Sequence, residues 1–563
     1  MNDILATSAR APVLVLGAGI NGICVARDLV LNRVPVTIVD TRDIAFGATA
    51  KSSRLIHGGL RYLEYGDFAL VRESLHERDR LLEYASDFVT PLKLHIPIRH
   101  RTGGLLAAAF RFLGWQDTWL ARACHFRPGR GLWTVRLGLW FYDLLARSRV
   151  MPRHTVYRIG SGSGPAFTPD RFPWSCAYFD AQLLSPERFC VALLRDTEQL
   201  ARTAGVPFEV RTYHQVRRMG PTVEVTSSLS PSGEALCWQP PVIINATGAW
   251  GDGTLRELNV TTPRLLRGTK GSHLFTAHAE LRAALAGDAV YAEAPDGRLV
   301  FLIPLADSVM IGTTDERFEG SPEDAVATTA EIDYLIELTH EIFPQVDLKP
   351  SDLFAHCAGI RPLPAVDATR TAAIPRGHSL DARIVDGQLI LSLIGGKLTT
   401  CRAFGEEVAD RVLAHLNMPR QASTRTRPIG TGPQTQRIPL NQQISQLADR
   451  TGHSRETCQA IWSLWHRDAE EWLTTYPPTS ARITGTSLPP DFVAAVIEQE
   501  WVHTLEDLTE RRLMLALTPQ LRRATLMELA EILHARRTLP NSVGESVVRC
   551  IARLQHAYGR TLD

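Results

Sequence analysis

At 563 residues the chain exceeds the length over which one hydrophobic core keeps growing, so two or three domains are expected. Apolar residues make up 44% and charged residues 21%, a globular balance, and a formal net charge of +1 offers no overall excess to suit nucleic acid or an acidic partner. Nine cysteines without a CxxC pair fit a reducing cytoplasm and no zinc site, and the absence of any apolar run of 18 residues or more predicts no spanning helix.

The opening segment, "MNDILATSARAPVLVLGAG", lacks a basic region followed by a long apolar stretch, so no secretory signal is expected. Val13 to Leu16 form a β-branched and apolar run that reads as a buried parallel strand, and Val36 to Val39 form a second. Between them Gly17, Gly19 and Gly22 stand in GxGxxG spacing at the head of a helix-compatible stretch, Ile20 to about Leu31. Gly17 permits the tight turn, Gly19 lets backbone approach a pyrophosphate, and Gly22 lets helix and strand pack closely, while the helix N-terminus offers N–H donors to phosphate. Asp40 closes the second strand, 18 residues past Gly22, where it can accept from ribose hydroxyls. Strand, glycines, helix, second strand and acid together define a dinucleotide site, without separating NAD from FAD.

Small and polar residues from Gly47 to Ser53 suit a loop lying against a ligand. Ser52 and Ser53 open the stretch "SSRLIHGGLRYLEYG" (52–66), in which Gly58 and Gly59 remove side-chain bulk where His57 and Arg61 converge. Taken alone, those residues also fit a turn with a surface arginine and a satisfied core histidine. Asp67 then reads as a helix N-cap ahead of Leu70, Val71, Leu75, Leu81 and Leu82 at helical spacing.

Farther on, Val242 to Asn245 read as a buried strand that ends in a small-residue turn at Thr247 and Gly248, the end at which doubly wound sheets place ligands. "RGTKGSHLF" (267–275) sets Lys270 and His273 ahead of a strand; alone, Lys270 reads as a solvated strand-end cation. "GRLVFLIPL" (297–305), after the turn Pro295-Asp296-Gly297, and "SVMIGTTDE" (308–316) alternate as strands of a largely antiparallel sheet. Pro362 restricts Arg361 to extended geometry, which aims a guanidinium able to grip phosphate bidentately. In residues 387–416, Leu389 to Ile394 form a strand, Gly395 and Gly396 a turn, and a helix is expected from near Lys397 with Val408, Val412 and Leu416 on its apolar face. Its N-terminus, with Lys397, can stabilise negative charge on a ligand.

"SSRLIHGGLRYLE" soon after an N-terminal GxGxxG resembles the signature of FAD-dependent glycerol-3-phosphate dehydrogenases of the aerobic, quinone-linked type, within the D-amino-acid-oxidase-like flavoproteins. "NATGAW" (245–250), "KGSH" (270–273), "IGTTDE" (311–316), "AGIRPL" (358–363) and "GGKLTT" (395–400) follow in that family's order, and "EWVHTLEDLTERRLML" (500–515) is similar to its helical C-terminal domain. The resemblance implies FAD, held by Gly17, Gly19, Gly22, Asp40, Ser52, Ser53, Gly58, Thr247, Gly248, Gly396, Lys397, Leu398 and Thr399. It implies a site lined by His57, Arg61, Lys270, Arg361 and Lys397. The implied reaction is oxidation of sn-glycerol 3-phosphate to dihydroxyacetone phosphate by hydride transfer to the flavin, with electrons passed to a quinone or another acceptor. His57 is the first choice as base for the hydroxyl proton and His273 the second, while Arg61, Lys270 and Arg361 offer cations for phosphate and alkoxide. Two positions depart from the family pattern. Cys401 stands where tyrosine commonly follows "KLTT" and reads as packing, and "SPER" in "DAQLLSPERF" (180–189) replaces an acidic pair. The second departure keeps open a related flavin enzyme acting on an amine or another phosphorylated polyol. A non-catalytic flavin-binding partner subunit is the alternative of another class, and His57, Arg61 and Arg361 together argue against it.

Residues 101–149, where the family usually has a shorter connection, mix Trp115, Trp119, Trp133 and Trp140 with eight arginines and only two acids, Asp117 and Asp143. Apolar runs broken by arginine suit a helix lying on a membrane surface, within reach of quinone; the alternative is a pair of lid helices packed on the protein. Residues 417–440, rich in Pro, Thr, Gln and Arg, read as a linker, and helical patterns without a catalytic constellation fill 441–563. The expected architecture is α/β. A Rossmann-like FAD-binding domain spans 1–100, continues in 151–250 together with strands of a second domain, and closes in 357–416. An antiparallel-sheet substrate domain occupies 251–356, a helical segment is inserted at 101–150, and a C-terminal helical domain follows the linker. The expected location is cytoplasmic or peripheral on the inner face of the cell membrane; a homo-oligomer is left open.

Overall fold

The computed structural model describes residues 11–103, 130–146, 151–160, 164–230, 233–294, 297–366, 374–430 and 438–562, apart from the side chains of Glu64 and Tyr65. Trp115, Trp119, Asp117, most of the inserted segment and the residues Pro295-Asp296 therefore lie outside the described residues.

The chain builds two sheets that share its length in alternation. The first has six strands in the order Ser379–Val385, Gln388–Ile394, Val242–Asn245, Val13–Leu16, Val36–Val39 and Phe208–Arg211. The last five run parallel, and Ser379–Val385 folds back antiparallel on the edge. Val13–Leu16 and Val242–Asn245 are buried at every position because both faces are covered. On one face lie the helices Ile20–Leu31, Pro186–Ala204 and Cys401–His415. On the other lie a three-stranded antiparallel sheet and the helix Gly251–Glu257, whose Val223, Val225 and Leu255 pack on Leu14, Leu16 and Ile243.

The second sheet has ten strands. Thr269–Thr276 pairs antiparallel with Val309–Gly312 and Glu316–Arg317 on one side and with Leu353–Arg361 on the other. Leu299–Pro304, Ala289–Glu293, Val89–Ile98, Trp174–Leu183, Leu55–Ile56 and Thr155–Arg158 extend it, and among the described strands of this sheet only Ala289–Glu293 with Val89–Ile98 is a parallel pair. Phe68–Tyr84 is capped by Asp67, whose carboxylate accepts from the Leu70 N–H at 3.1 Å.

Two expectations need correction. The helix expected from near Lys397 begins at Cys401, because Gly395 and Gly396 hold left-handed φ values of 76° and 96° and residues 398–400 form a turn first. The described part of the supposed linker, up to residue 430, is a strap pinned to the body. Arg420 pairs with Asp28 and Asp410, Arg425 with Glu406, and Arg427 with Asp196. Its arginines reach acids on the first sheet's helices, which composition alone does not reveal.

The C-terminal helices Leu440–Thr451, Arg455–Trp465, Asp468–Thr475, Pro490–Gln499, Arg523–Arg536 and Val543–Tyr558 share one apolar core with the second sheet: Ile461, Phe492, Leu508 and Leu554 continue into Phe275, Ala355 and Cys357. The buried pair Arg188–Glu500 ties the C-terminal helices to the helix Pro186–Ala204 on the first sheet.

Candidate active site

A cavity of about 640 Å³ opens where the C-terminal ends of the parallel strands meet the second sheet. At one end it is a cradle of backbone. Gly17 has φ of 104°, and a Cβ there would fall 2.6 Å from the Ala246 carbonyl oxygen. A Cβ on Gly22 would fall 2.1 Å from the Gly17 carbonyl oxygen, so this glycine joins strand to helix and is not on the cavity wall. Gly19 differs: a Cβ there would meet nothing nearer than Thr49 Oγ1 at 3.5 Å, leaving the space it vacates to a ligand. Asp40 accepts from the Ala18 N–H at 2.7 Å and the Arg42 N–H at 2.8 Å. Burial pushes its carboxyl up to about 6 against the pull of those two N–H groups, and a donor hydroxyl at its remaining lone pairs would oppose that rise.

Ser52, Ser53, Thr247, Gly248, Gly396, Lys397, Leu398 and Thr399 also line the cavity. Asn21 Oδ1 and Lys51 Nζ, both on cavity-lining residues, are buried and have no hydrogen-bond partner among the described residues. Gly58 does not line it: its N–H is taken by Tyr142 Oη and Asp180 Oδ1, both at 3.1 Å, and it makes room for Tyr142 and Leu75.

At the other end stand His57, His273 and Arg361. The Thr399 hydroxyl accepts from the His57 N–H at 3.1 Å. Burial, followed by the charges of Lys397 and Arg61, pushes the His57 imidazole down to about 3. Burial does the same to His273, aided by Arg361, and its Nε2 lies 3.1 Å from Ser53 Oγ while Nδ1 has no partner among the described residues. Arg361 donates to Thr313 Oγ1 at 2.9 Å and pairs with Asp315 at 3.2 Å. Arg376, also on the wall, pairs with the same Asp315 at 2.8 Å, so two guanidiniums share one carboxylate.

Two residues expected to line the catalytic end stand elsewhere. Lys270 is buried and its ammonium is 2.8 Å from Glu331 and 3.2 Å from the Val326 carbonyl, off the cavity wall; it is neither a solvated cation nor a wall residue. Glu331, on the helix Thr329–Ile342, also accepts from Ser272, Thr314 and Thr328. Arg61 is not on the wall either, although its charge reaches His57. Sequence reasoning missed Lys51, Asp315 and Arg376. Asp315 stood inside a quoted motif, whereas nothing local marks Arg376. Arg54 forms a bidentate buried pair with Glu187 at 3.0 and 2.7 Å, so the glutamate of "SPER" serves as its counter-charge.

Glycine cradle, acid-capped second strand and a cavity between a parallel and an antiparallel sheet define a dinucleotide-binding protein. Residues 12–411 match the FAD dependent oxidoreductase family, and the chain belongs to it. It is 30% identical to the glycerol-3-phosphate dehydrogenase of Synechocystis sp., over 90% of this chain and 89% of that relative. It is 27% identical to the aerobic glycerol-3-phosphate dehydrogenase of Escherichia coli, over 89% and 93%. D-erythritol 1-phosphate dehydrogenase of Brucella abortus is 29% identical over 72% of this chain. Its fold is also that of the Bacillus halodurans glycerol-3-phosphate dehydrogenase solved with FAD, with TM-score 0.69, 19% identity and coverage of 97% and 95%. The cofactor is FAD.

Proposed function

We propose that the chain oxidises sn-glycerol 3-phosphate to dihydroxyacetone phosphate and passes the electrons to a quinone or another acceptor. The observation that carries this reading is one cavity wall on which the FAD cradle continues into His57, His273, Arg361 and Arg376. The names of relatives matched over nearly their whole length supply the substrate.

FAD, when bound, supplies the hydride acceptor. Arg361 and Arg376, both on the cavity wall, bind the phosphate dianion through their guanidiniums. His57 is uncharged at neutral pH and takes the hydroxyl proton; the dianion beside it raises its basicity from the low value set by burial. His273, fixed by Ser53, orients the hydroxyl.

Anaerobic addition of substrate to the yellow protein tests the reading. Bleaching by glycerol 3-phosphate, slowed at least tenfold in H57A and R361A, is expected. Unchanged reduction rate and affinity in both variants would remove the assigned roles. A longer phosphorylated polyol is the second reading, favoured by the similarity to D-erythritol 1-phosphate dehydrogenase, and preferential bleaching by erythritol 1-phosphate would select it. Bleaching by an amine would point to a related oxidase, and no bleaching by any candidate to a partner subunit.

The reading extends to a membrane surface. On the helix Leu132–Ala146, Leu132, Val135, Leu139 and Tyr142 are buried, while Trp133, Leu137, Trp140, Phe141 and Leu144 form an opposite apolar face, each 42% to 54% exposed. Arg136 lies with its guanidinium 5.7 Å from the Trp133 ring centroid. No described helix is long and apolar enough to cross a membrane, so this face is proposed to lie in the interface, where quinone is accessible.

A further inference from the structure

The loop of residues 43–53 lines the cavity through 46–49 and 51–53, and it is strained. Ala45 near its start and Arg54 just after its end hold left-handed φ values of 60° and 55°, a backbone strain that surrounding contacts must offset. Near its start and at its middle the loop is tied to the glycine-rich segment, through the Ala45 N–H to the Ala18 carbonyl at 2.9 Å and the Ile20 N–H to Thr49 Oγ1 at 3.2 Å. Its two flanks are tied to the C-terminal domain. Asp43, fully buried, accepts both arms of the Arg512 fork at 2.7 and 2.8 Å and Arg511 Nε at 2.5 Å. Arg512 is itself fixed by the Glu500 carbonyl at 2.8 Å. At the other flank the Lys51 ammonium, on the cavity wall, lies 3.4 Å from the centroid of the Tyr558 ring, and the Tyr558 hydroxyl donates to Glu510 at 3.1 Å. Past Tyr558 the chain also meets the strand that ends in Arg361: a Cβ on Gly559 would fall 1.9 Å from His356 Nε2, and Arg560 lies 5.6 Å from the Phe354 ring centroid.

We propose that the C-terminal helical domain is a working part of the cofactor site, in which Arg511, Arg512 and Tyr558 are positioning residues that hold the strained 43–53 loop in the shape FAD fits. The inference rests on FAD as cofactor and not on the substrate. A loop released from these contacts populates other conformations, and FAD affinity falls by the fraction of chains left in the competent one.

Two variants test this on the yellow holoprotein, with FAD release on dilution read by flavin fluorescence and melting of the FAD-free proteins read alongside. R512K keeps the charge and loses the two-pronged geometry; Y558L removes the ring under Lys51. A roughly tenfold weaker FAD affinity in R512K, and a smaller weakening of at least threefold in Y558L, are expected while far-UV circular dichroism is unchanged. FAD affinity within twofold of the parent in both, whatever the change in melting temperature, would overturn the proposal. Should R512K not fold, Y558L decides alone.

Discussion

Thr399 accepts a hydrogen bond from the His57 N–H at 3.1 Å and donates one to the His57 carbonyl at 3.3 Å, joining residues 342 positions apart. The turn before the helix Cys401–His415 thereby fixes the backbone of the residue assigned as base. Removing the hydroxyl leaves a buried N–H without its partner, a cost of about 1–3 kcal/mol. T399V is expected to lose stability in that range in denaturant unfolding and to turn over more slowly, whereas T399S, which keeps the hydroxyl, stays within twofold of the parent. Equal loss in the two variants would show that the bond does not matter.

The two histidines on the cavity wall make the FAD-free protein sensitive to acid. Both are held at about 3 against an ordinary 6.5, chiefly by burial. Below pH 6.5 the unfolded chain takes up protons that the folded chain refuses, so their contribution is complete above 6.5 and lost as pH falls towards 3. His273, 2% exposed, then contributes a slope of at most about 1.4 kcal/mol per pH unit. H273N is expected to flatten the stability profile between pH 6 and 4, and an unaltered slope would refute the assignment.

Lys270 and Glu331 illustrate a different balance. E331Q leaves a buried ammonium without its counter-charge and is expected to cost about 3–5 kcal/mol in unfolding free energy. K270M removes the cation while Glu331 retains Ser272, Thr314 and Thr328 as donors, so a smaller loss is expected. Substrate KM in K270M separates the structural role from a substrate contact: a value within threefold of the parent is expected, and a much larger one would return Lys270 to the site.

The exposed face of Leu132–Ala146 predicts lipid binding through its tryptophans. The full chain is expected to float with liposomes of bacterial phospholipid, and W133S/W140S to float several-fold less while retaining turnover with a water-soluble acceptor. Equal flotation of parent and variant would dismiss this helix as the attachment site.

Much of the cofactor end was legible because its chemistry is local. The turn at Gly17, the open space at Gly19 and the acid at Asp40 lie within one strand-helix-strand unit, so spacing alone places them. The substrate end is assembled from distant segments. His273 and Lys270 lie three residues apart on one strand, yet one reaches the cavity and the other is consumed by Glu331 of a helix 61 residues on. Composition makes residues 417–440 read as a linker, because the partners of the arginines at 420, 425 and 427 are invisible until Asp28, Glu406 and Asp196 come to meet them.

The amino-acid sequence by itself determined the two-strand dinucleotide unit, the order of the flavin motifs and the helical character of the C-terminal third, all set by short-range periodicity and glycine geometry. Only the tertiary structure decided which cations face the cavity and which are neutralised. It also decided that Arg511 and Arg512 close on Asp43, because a buried charge is defined by whatever the fold brings within about 3 Å of it.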